Sequence, residues 1–83
     1  MKKLNIDKDA QKELDRIDAV TRRRIIKGIT GLLQEPPLGD IKPLHGYSDG
    51  RHRIRIGKYR VIFYYSDENL NIIDIGSRGD IYK

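Results

Sequence analysis

The sequence predicts an α+β fold, two helices lying against one face of a twisted antiparallel sheet, on three observations. Residues 51–65 read RHRIRIGKYRVIFYY: polar and apolar residues alternate up to Ile56, Gly57-Lys58 interrupts them, and a β-branched and aromatic run follows, the pattern of a β-hairpin. Ahead of the hairpin, apolar residues recur at helical spacing in two segments separated by a break near Asp18. Strands grouped after the helices, rather than alternating with them, indicate separate α and β layers. A chain of 83 residues makes one domain, 1–83. A domain of that size buries only about 60% of the surface its unfolded chain exposes, so its stability is marginal and a tight partner would add to it.

In chain order, Lys2 to Ile6 alternates and reads as a first strand, with Leu4 and Ile6 on one side. Asp7 is placed to cap a helix, its carboxylate accepting from free backbone amides, and Ala10, Leu14 and Ile17 give that helix an apolar face until it ends near Asp18. Thr21 is predicted to cap a second helix, whose stripe is Ile25, Ile26, Ile29, Leu32 and Leu33 and which Pro36-Pro37 stops. Gly28 and Gly31 each cost that helix about 1 kcal/mol relative to alanine, so close packing against the first helix or the sheet is the expected reason for them. Residues 36–50 hold all three prolines and three glycines and form a loop, with a short strand near Ile41 to Leu44.

If Gly57-Lys58 is a two-residue turn, Ile56 lies opposite Tyr59, Arg55 opposite Arg60, Ile54 opposite Val61, Arg53 opposite Ile62, His52 opposite Phe63 and Arg51 opposite Tyr64. One face then carries His52, Ile54, Ile56, Tyr59, Val61 and Phe63, and the other gathers Arg51, Arg53, Arg55 and Arg60 around Ile62 and Tyr64. A turn at Ser66 to Asn69 leads into a last strand, Leu70 to Gly76, which completes the three to four antiparallel strands that follow the helices. Either Ile73 and Ile75, or Leu70, Ile72 and Asp74, face the helices, depending on the turn. We place Ile73 and Ile75 inside, because a buried unpaired carboxylate at Asp74 would be costly.

Charge narrows the function. The net charge is +5, and the stretch from Lys42 to Arg60 holds six basic residues against one acidic, Asp49, while the rest of the chain holds eleven of each sign. The basicity thus belongs to one local surface, which points to a polyanion such as nucleic acid or to an acidic protein segment. Arg55 facing Arg60 is a local cost that folding does not explain, whereas an anion between them would. Edge-strand protection is the simpler reading of such charges, but four arginines converging on one face exceed what it needs. The absence of cysteine rules out disulfides and thiolate metal sites, and Asp7, Asp9, Glu13 and Asp15 have no metal-ligand spacing. No apolar run is long enough for a signal peptide or a membrane span, so the cytoplasm is the expected location. His52, Tyr59, Phe63 and Tyr65 read as core, Arg22, Arg23 and Arg24 as a solvated or partner-contacting face, and His45 equally as surface or substrate contact.

The run IKPLHGYSDGRHRIRIGKYRVIFYY, followed by IGSRGDIYK, resembles toxins of the RelE/ParE superfamily, and the likeness extends over nearly the whole chain. The resemblance implies a toxin that, in RelE-like members, enters the ribosomal A site and cuts mRNA without a metal or other cofactor. In that reaction the ribose 2′-hydroxyl attacks the adjacent phosphate and displaces the 5′-oxygen. It also implies a cognate antitoxin as partner, contacts to mRNA and ribosomal RNA, and no membrane. Carried over by position are Arg53, Arg55, Arg60, Arg78 and Tyr82, of which Arg55, Arg60, Arg78 and Tyr82 are the catalytic candidates; Arg53, with Arg51, Lys42 and Lys58 of the basic stretch and His45 of the loop, makes the RNA-binding set. Preorganised guanidinium groups suit a phosphate that gains charge in the transition state, and a tyrosine can stack on a splayed base. The chain departs from the RelE pattern in two places. Arginine stands at 53 and 55 where lysine is common, and Ser77 stands where many members have histidine, which leaves the general base open among Tyr82, His45 and a ribosomal group. On the same fold the alternatives are a ParE-like inhibitor of DNA gyrase that cleaves nothing, and an inactive relic that still binds antitoxin.

Overall fold

A computed structural model of the protein describes residues 2–44 and 50–77. The element order is β1 (Lys3–Ile6), α1 (Lys8–Arg16), α2 (Ala19–Gly31), β2 (Asp40–Pro43), β3 (His52–Ile56), β4 (Tyr59–Ser66) and β5 (Asn69–Ser77). The strands form one five-stranded sheet in the order β1-β5-β4-β3-β2. The fold is α+β as predicted, with four antiparallel strands, β2 to β5, after the helices; the N-terminal strand joins them at one edge and makes the sheet mixed, because β1 pairs in parallel with β5, Leu4 beside Leu70 and Ile6 beside Ile72. Parallel neighbours need a long crossover, and the α1–α2 hairpin begins that connection. Among the described residues no helix is long and apolar enough to cross a membrane.

The helices form on the predicted apolar spacing, with boundaries set by different groups. Asp7 sits at the N-cap of α1 in extended conformation, yet its side chain makes no cap hydrogen bond. Its main-chain carbonyl accepts from Gln11 N at 2.9 Å instead. The cap of α2 is Asp18 rather than Thr21: the Asp18 carboxylate accepts from Thr21 N at 3.0 Å, so Thr21 is the donor three residues inside. That hydrogen bond holds the Asp18 carboxyl below its ordinary value. The stripe of α2 buries Ile25, Ile29 and Leu32, whereas Ile26, one position round the helix, is exposed.

These side chains and Ala10, Leu14 and Ile17 close over Ile54, Val61, Phe63, Leu70, Ile72 and Ile75 of the sheet. Gly28 is where α2 approaches β3, since a Cβ there would stand 2.5 Å from Ile56 Cδ1, which explains a glycine in a helix interior. Tyr65 ties the end of the same helix to β4 by donating its hydroxyl to the Leu32 carbonyl at 2.7 Å.

In β5 the prediction of Ile73 and Ile75 inside is half right. Ile62 pairs with Asp74 but Phe63 pairs with Ile72, so Ile73 is an extra residue in a β-bulge. Leu70 and Ile72 face the helices before the bulge and Ile75 faces them after it. Strict alternation would have forced either Asp74 into the core or Leu70 and Ile72 out of it; the bulge avoids both.

Candidate functional site

The hairpin adopts the predicted register, from His52 opposite Phe63 to Ile56 opposite Tyr59. The helices cover the Ile54–Val61–Phe63 side, so among the described residues no helix lies on the arginine side of the sheet, which cross-strand rows order. One row runs Asp40, Arg55, Arg60, Gly76 across β2, β3, β4 and β5, and the next runs Lys42, Arg53, Ile62, Asp74. Gly76 brings no side chain to the end of the first row, and both rows have an aspartate among their charges.

Asp40 organises the β2 end. Its Oδ2 accepts from Arg55 Nε at 3.0 Å, its Oδ1 lies 3.4 Å from Arg53 Nη1, and its main-chain carbonyl accepts from that same Nη1 at 2.7 Å. The hydrogen bond from Arg55, helped by Arg53, holds the Asp40 carboxyl below its ordinary value. The two arginines differ in consequence. Arg53 is only 7% exposed and spends its guanidinium on Asp40, while Arg55 is exposed and engages Asp40 through Nε.

Beyond these rows, Arg51, Ile62, Tyr64, Ile73 and Asp74 line a hollow of about 500 Å³, with Asp7 also at its wall. Ile62 is buried although it faces away from the helices, so the open face has an apolar floor between its charges. Partial burial, together with the charges of Glu13, Asp9 and Asp7, raises the Asp74 carboxyl above its ordinary value.

The sequence-predicted residues therefore separate into groups. Arg55, Arg60, Arg53, Lys42 and Arg51 share the open side of the sheet. Lys58 does not join them: from the β3–β4 turn its ammonium lies 5.9 Å over the Tyr59 ring, on the helix side, where it also acts on Asp18. Arg78, Tyr82 and His45 lie outside the described residues. His52 stacks on Phe63 at 5.9 Å and its Nδ1 is 2.8 Å from the Gly50 carbonyl, a structural placement as the alternation indicated. Among the described residues no group of three or more histidine, aspartate or glutamate side chains could hold a metal ion. Asp40 was missed by sequence reading. It sits fifteen positions before Arg55 in a loop-like Gly-Asp pair, and only the β2–β3 register brings it to the arginines.

Beside the open face, a groove of about 610 Å³ runs between α2 and β3, with Leu38, Ile54 and Ile56 as apolar lining and Arg24, Lys27 and Arg55 as basic lining. The chemistry available is thus anion binding. Two guanidinium groups from adjacent strands can straddle one phosphate, and an adjacent hollow with an aromatic wall can take a flat apolar ring.

Comparison with known proteins agrees with this architecture. The sequence model of a family described as ParE toxin of type II toxin-antitoxin system, parDE, matches residues 4–82. Among solved structures the chain is similar to the archaeal RelE–RelB complex from Pyrococcus horikoshii OT3, with 27% identity, 95% of this chain and 97% of that chain covered, and a TM-score of 0.74. It is similar to the RelB–RelE antitoxin–toxin complex from Methanococcus jannaschii at 25% identity, 94% of both chains and a TM-score of 0.75. The isolated E. coli RelE toxin matches at 25% identity over 99% of this chain and 92% of its own, with a TM-score of 0.77. No curated protein matches the sequence.

Proposed function

Because the chain belongs to the family of ParE toxins of type II toxin–antitoxin systems, and is a toxin of the RelE/ParE group, we propose that it acts as a ribosome-dependent, metal-independent endoribonuclease on mRNA. The observation that carries this reading is the row Arg55–Arg60 on the open side of the sheet. Attack of a ribose 2′-hydroxyl on its own 3′-phosphate forms a pentacoordinate phosphorane with added negative charge. Expulsion of the 5′-oxygen then leaves a 2′,3′-cyclic phosphate on one fragment and a 5′-hydroxyl on the other. Guanidinium groups fixed beforehand on two strands stabilise that charge more than they stabilise the ground state. In this reading Arg55 and Arg60 grip the scissile phosphate, Arg51 and Lys42 hold the flanking backbone, and Arg78 and Tyr82 complete the site. The hydroxyl proton leaves to Tyr82, His45 or a ribosomal group.

The partner is an antitoxin. Relatives are seen in complex with RelB antitoxins, and the groove between α2 and β3, apolar with only basic charge among its described lining, suits a segment carrying both apolar and acidic side chains. A second reading, inhibition of DNA gyrase without nuclease activity, is favoured by one finding: the matching family model is a ParE one.

Induction of the toxin in cells, followed by mapping of 5′-hydroxyl mRNA ends and assay of DNA breaks trapped on gyrase, separates the two. New mRNA ends within coding regions with intact DNA support the nuclease. Unbroken mRNA with trapped gyrase complexes supports the alternative.

A further inference from the structure

We infer that Asp40 is a positioning residue of the arginine face, a carboxylate clip that locks Arg53 into the sheet and aims the outer edge of Arg55 at an incoming phosphate. The inference rests on the reading of this face as an RNA site and adds to it the group that presets its geometry.

A guanidinium presents two donor edges, one made by Nε with a terminal nitrogen and one made by both terminal nitrogens. Asp40 Oδ2 takes the Nε of Arg55 at 3.0 Å. The edge formed by Nη1 and Nη2 is thereby directed away from Asp40, as a bidentate phosphate contact requires. Oδ1 of the same carboxylate, 3.4 Å from Arg53 Nη1, and the Asp40 carbonyl, 2.7 Å from that nitrogen, hold the clip itself in place. Arg53, at 7% exposure, is thus an anchor rather than a second phosphate donor.

The placement also addresses the repulsion between Arg55 and Arg60. Asp40 lies on the β2 side of Arg55 and Arg60 on the β4 side. Asp40 therefore draws the Arg55 guanidinium toward β2, away from the strand that carries Arg60. Repulsion between Asp40 and the incoming phosphate acts across the intervening guanidinium at a solvated surface, where screening keeps it small. Alignment of a long, flexible side chain is the larger effect.

The two effects have opposite signs, which makes the test decisive. Fluorescence anisotropy with a short labelled oligoadenylate would compare the full-length protein with Asp40→Asn, Arg55→Ala and the double variant at fixed salt. Asp40→Asn removes a negative charge from a basic face, so a mere counter-charge would tighten binding on its loss. Positioning predicts instead a loss of about fivefold to tenfold, with the double variant no weaker than Arg55→Ala alone because the two residues act as one unit. The Arg55 Nε–H resonance is expected to be shifted by its hydrogen bond to Asp40 in the wild type and to move toward the free-arginine position in Asp40→Asn, while the amide spectrum of the core stays unchanged. Equal or tighter RNA binding by Asp40→Asn, or additive effects in the double variant, overturns the inference. Wild-type protein that binds no oligoadenylate overturns it too. Cleavage of mRNA on ribosomes is scored separately: a wild type that binds in this pattern but cleaves nothing defeats the nuclease reading and leaves the clip standing.

Discussion

Arg55 and Arg60 stand directly opposite each other on β3 and β4, on the side of the sheet that the helices leave open. Like charges so placed destabilise a sheet by roughly 0.2–1 kcal/mol, a cost the fold retains. Replacing Arg60 by alanine is therefore expected to leave a folded protein, as read by denaturant titration, while growth arrest on induction is lost. A severe loss of stability would mean that Arg60 is there for the fold.

Arg53 and Arg55 are adjacent in pattern and differ in burial, so their alanine variants should diverge. Arg53→Ala removes a buried guanidinium that satisfies the Asp40 carbonyl, and a cost of about 2–4 kcal/mol is expected. Arg55→Ala, at an exposed position, should cost less than about 1 kcal/mol and act on RNA binding instead. Thermal melts run beside RNA titrations on the two variants check the divergence.

Asp74 supplies the pH dependence. Its carboxyl is raised in the folded state, by burial first and by Glu13, Asp9 and Asp7 after it. Folding therefore favours the protonated form, and the disadvantage is absent below the unfolded value, near 3.8, and complete above the folded one. Asp74→Asn should melt higher than wild type at pH 7, and the difference should vanish as the pH is lowered through 4. Melting curves across that range check the sign.

The contact of Gly28 with Ile56 yields a packing prediction. Gly28→Ala gains about 1 kcal/mol in helix propensity but places a methyl against Ile56, a clash worth roughly 1–3 kcal/mol, so the variant should be less stable overall. Adding Ile56→Val removes Cδ1 and should recover part of the loss, which a double-mutant cycle in urea would show.

The hairpin was legible because strict alternation joined by a two-residue turn specifies register from local sequence alone, and from Arg53, Arg55 and Arg60 the open basic face followed. Gly28 was legible as a point of close approach because glycine is otherwise costly inside a helix. What the sequence did not disclose depended on pairing between distant segments. Nothing local in Lys3–Ile6 says that it lies parallel beside β5, and nothing around Asp40 says that it faces Arg55. The bulge at Ile73 reconciles two alternations that each fail on their own, a solution visible only once Ile62 and Phe63 have their partners. The α2 cap was misplaced by three residues because Asp18 and Thr21 are both good caps, and the carboxylate, the stronger acceptor, prevails.

The most direct measurement of the claim that this arginine row performs catalysis is single-turnover cleavage of mRNA on purified ribosomes, comparing wild type with Arg60→Ala and Arg55→Ala at saturating toxin. The row predicts 2′,3′-cyclic phosphate ends from the wild type and a rate lower by about a hundredfold or more in each variant, the size of one lost transition-state donor. Cleavage undiminished in both variants, or absent from the wild type, would contradict it.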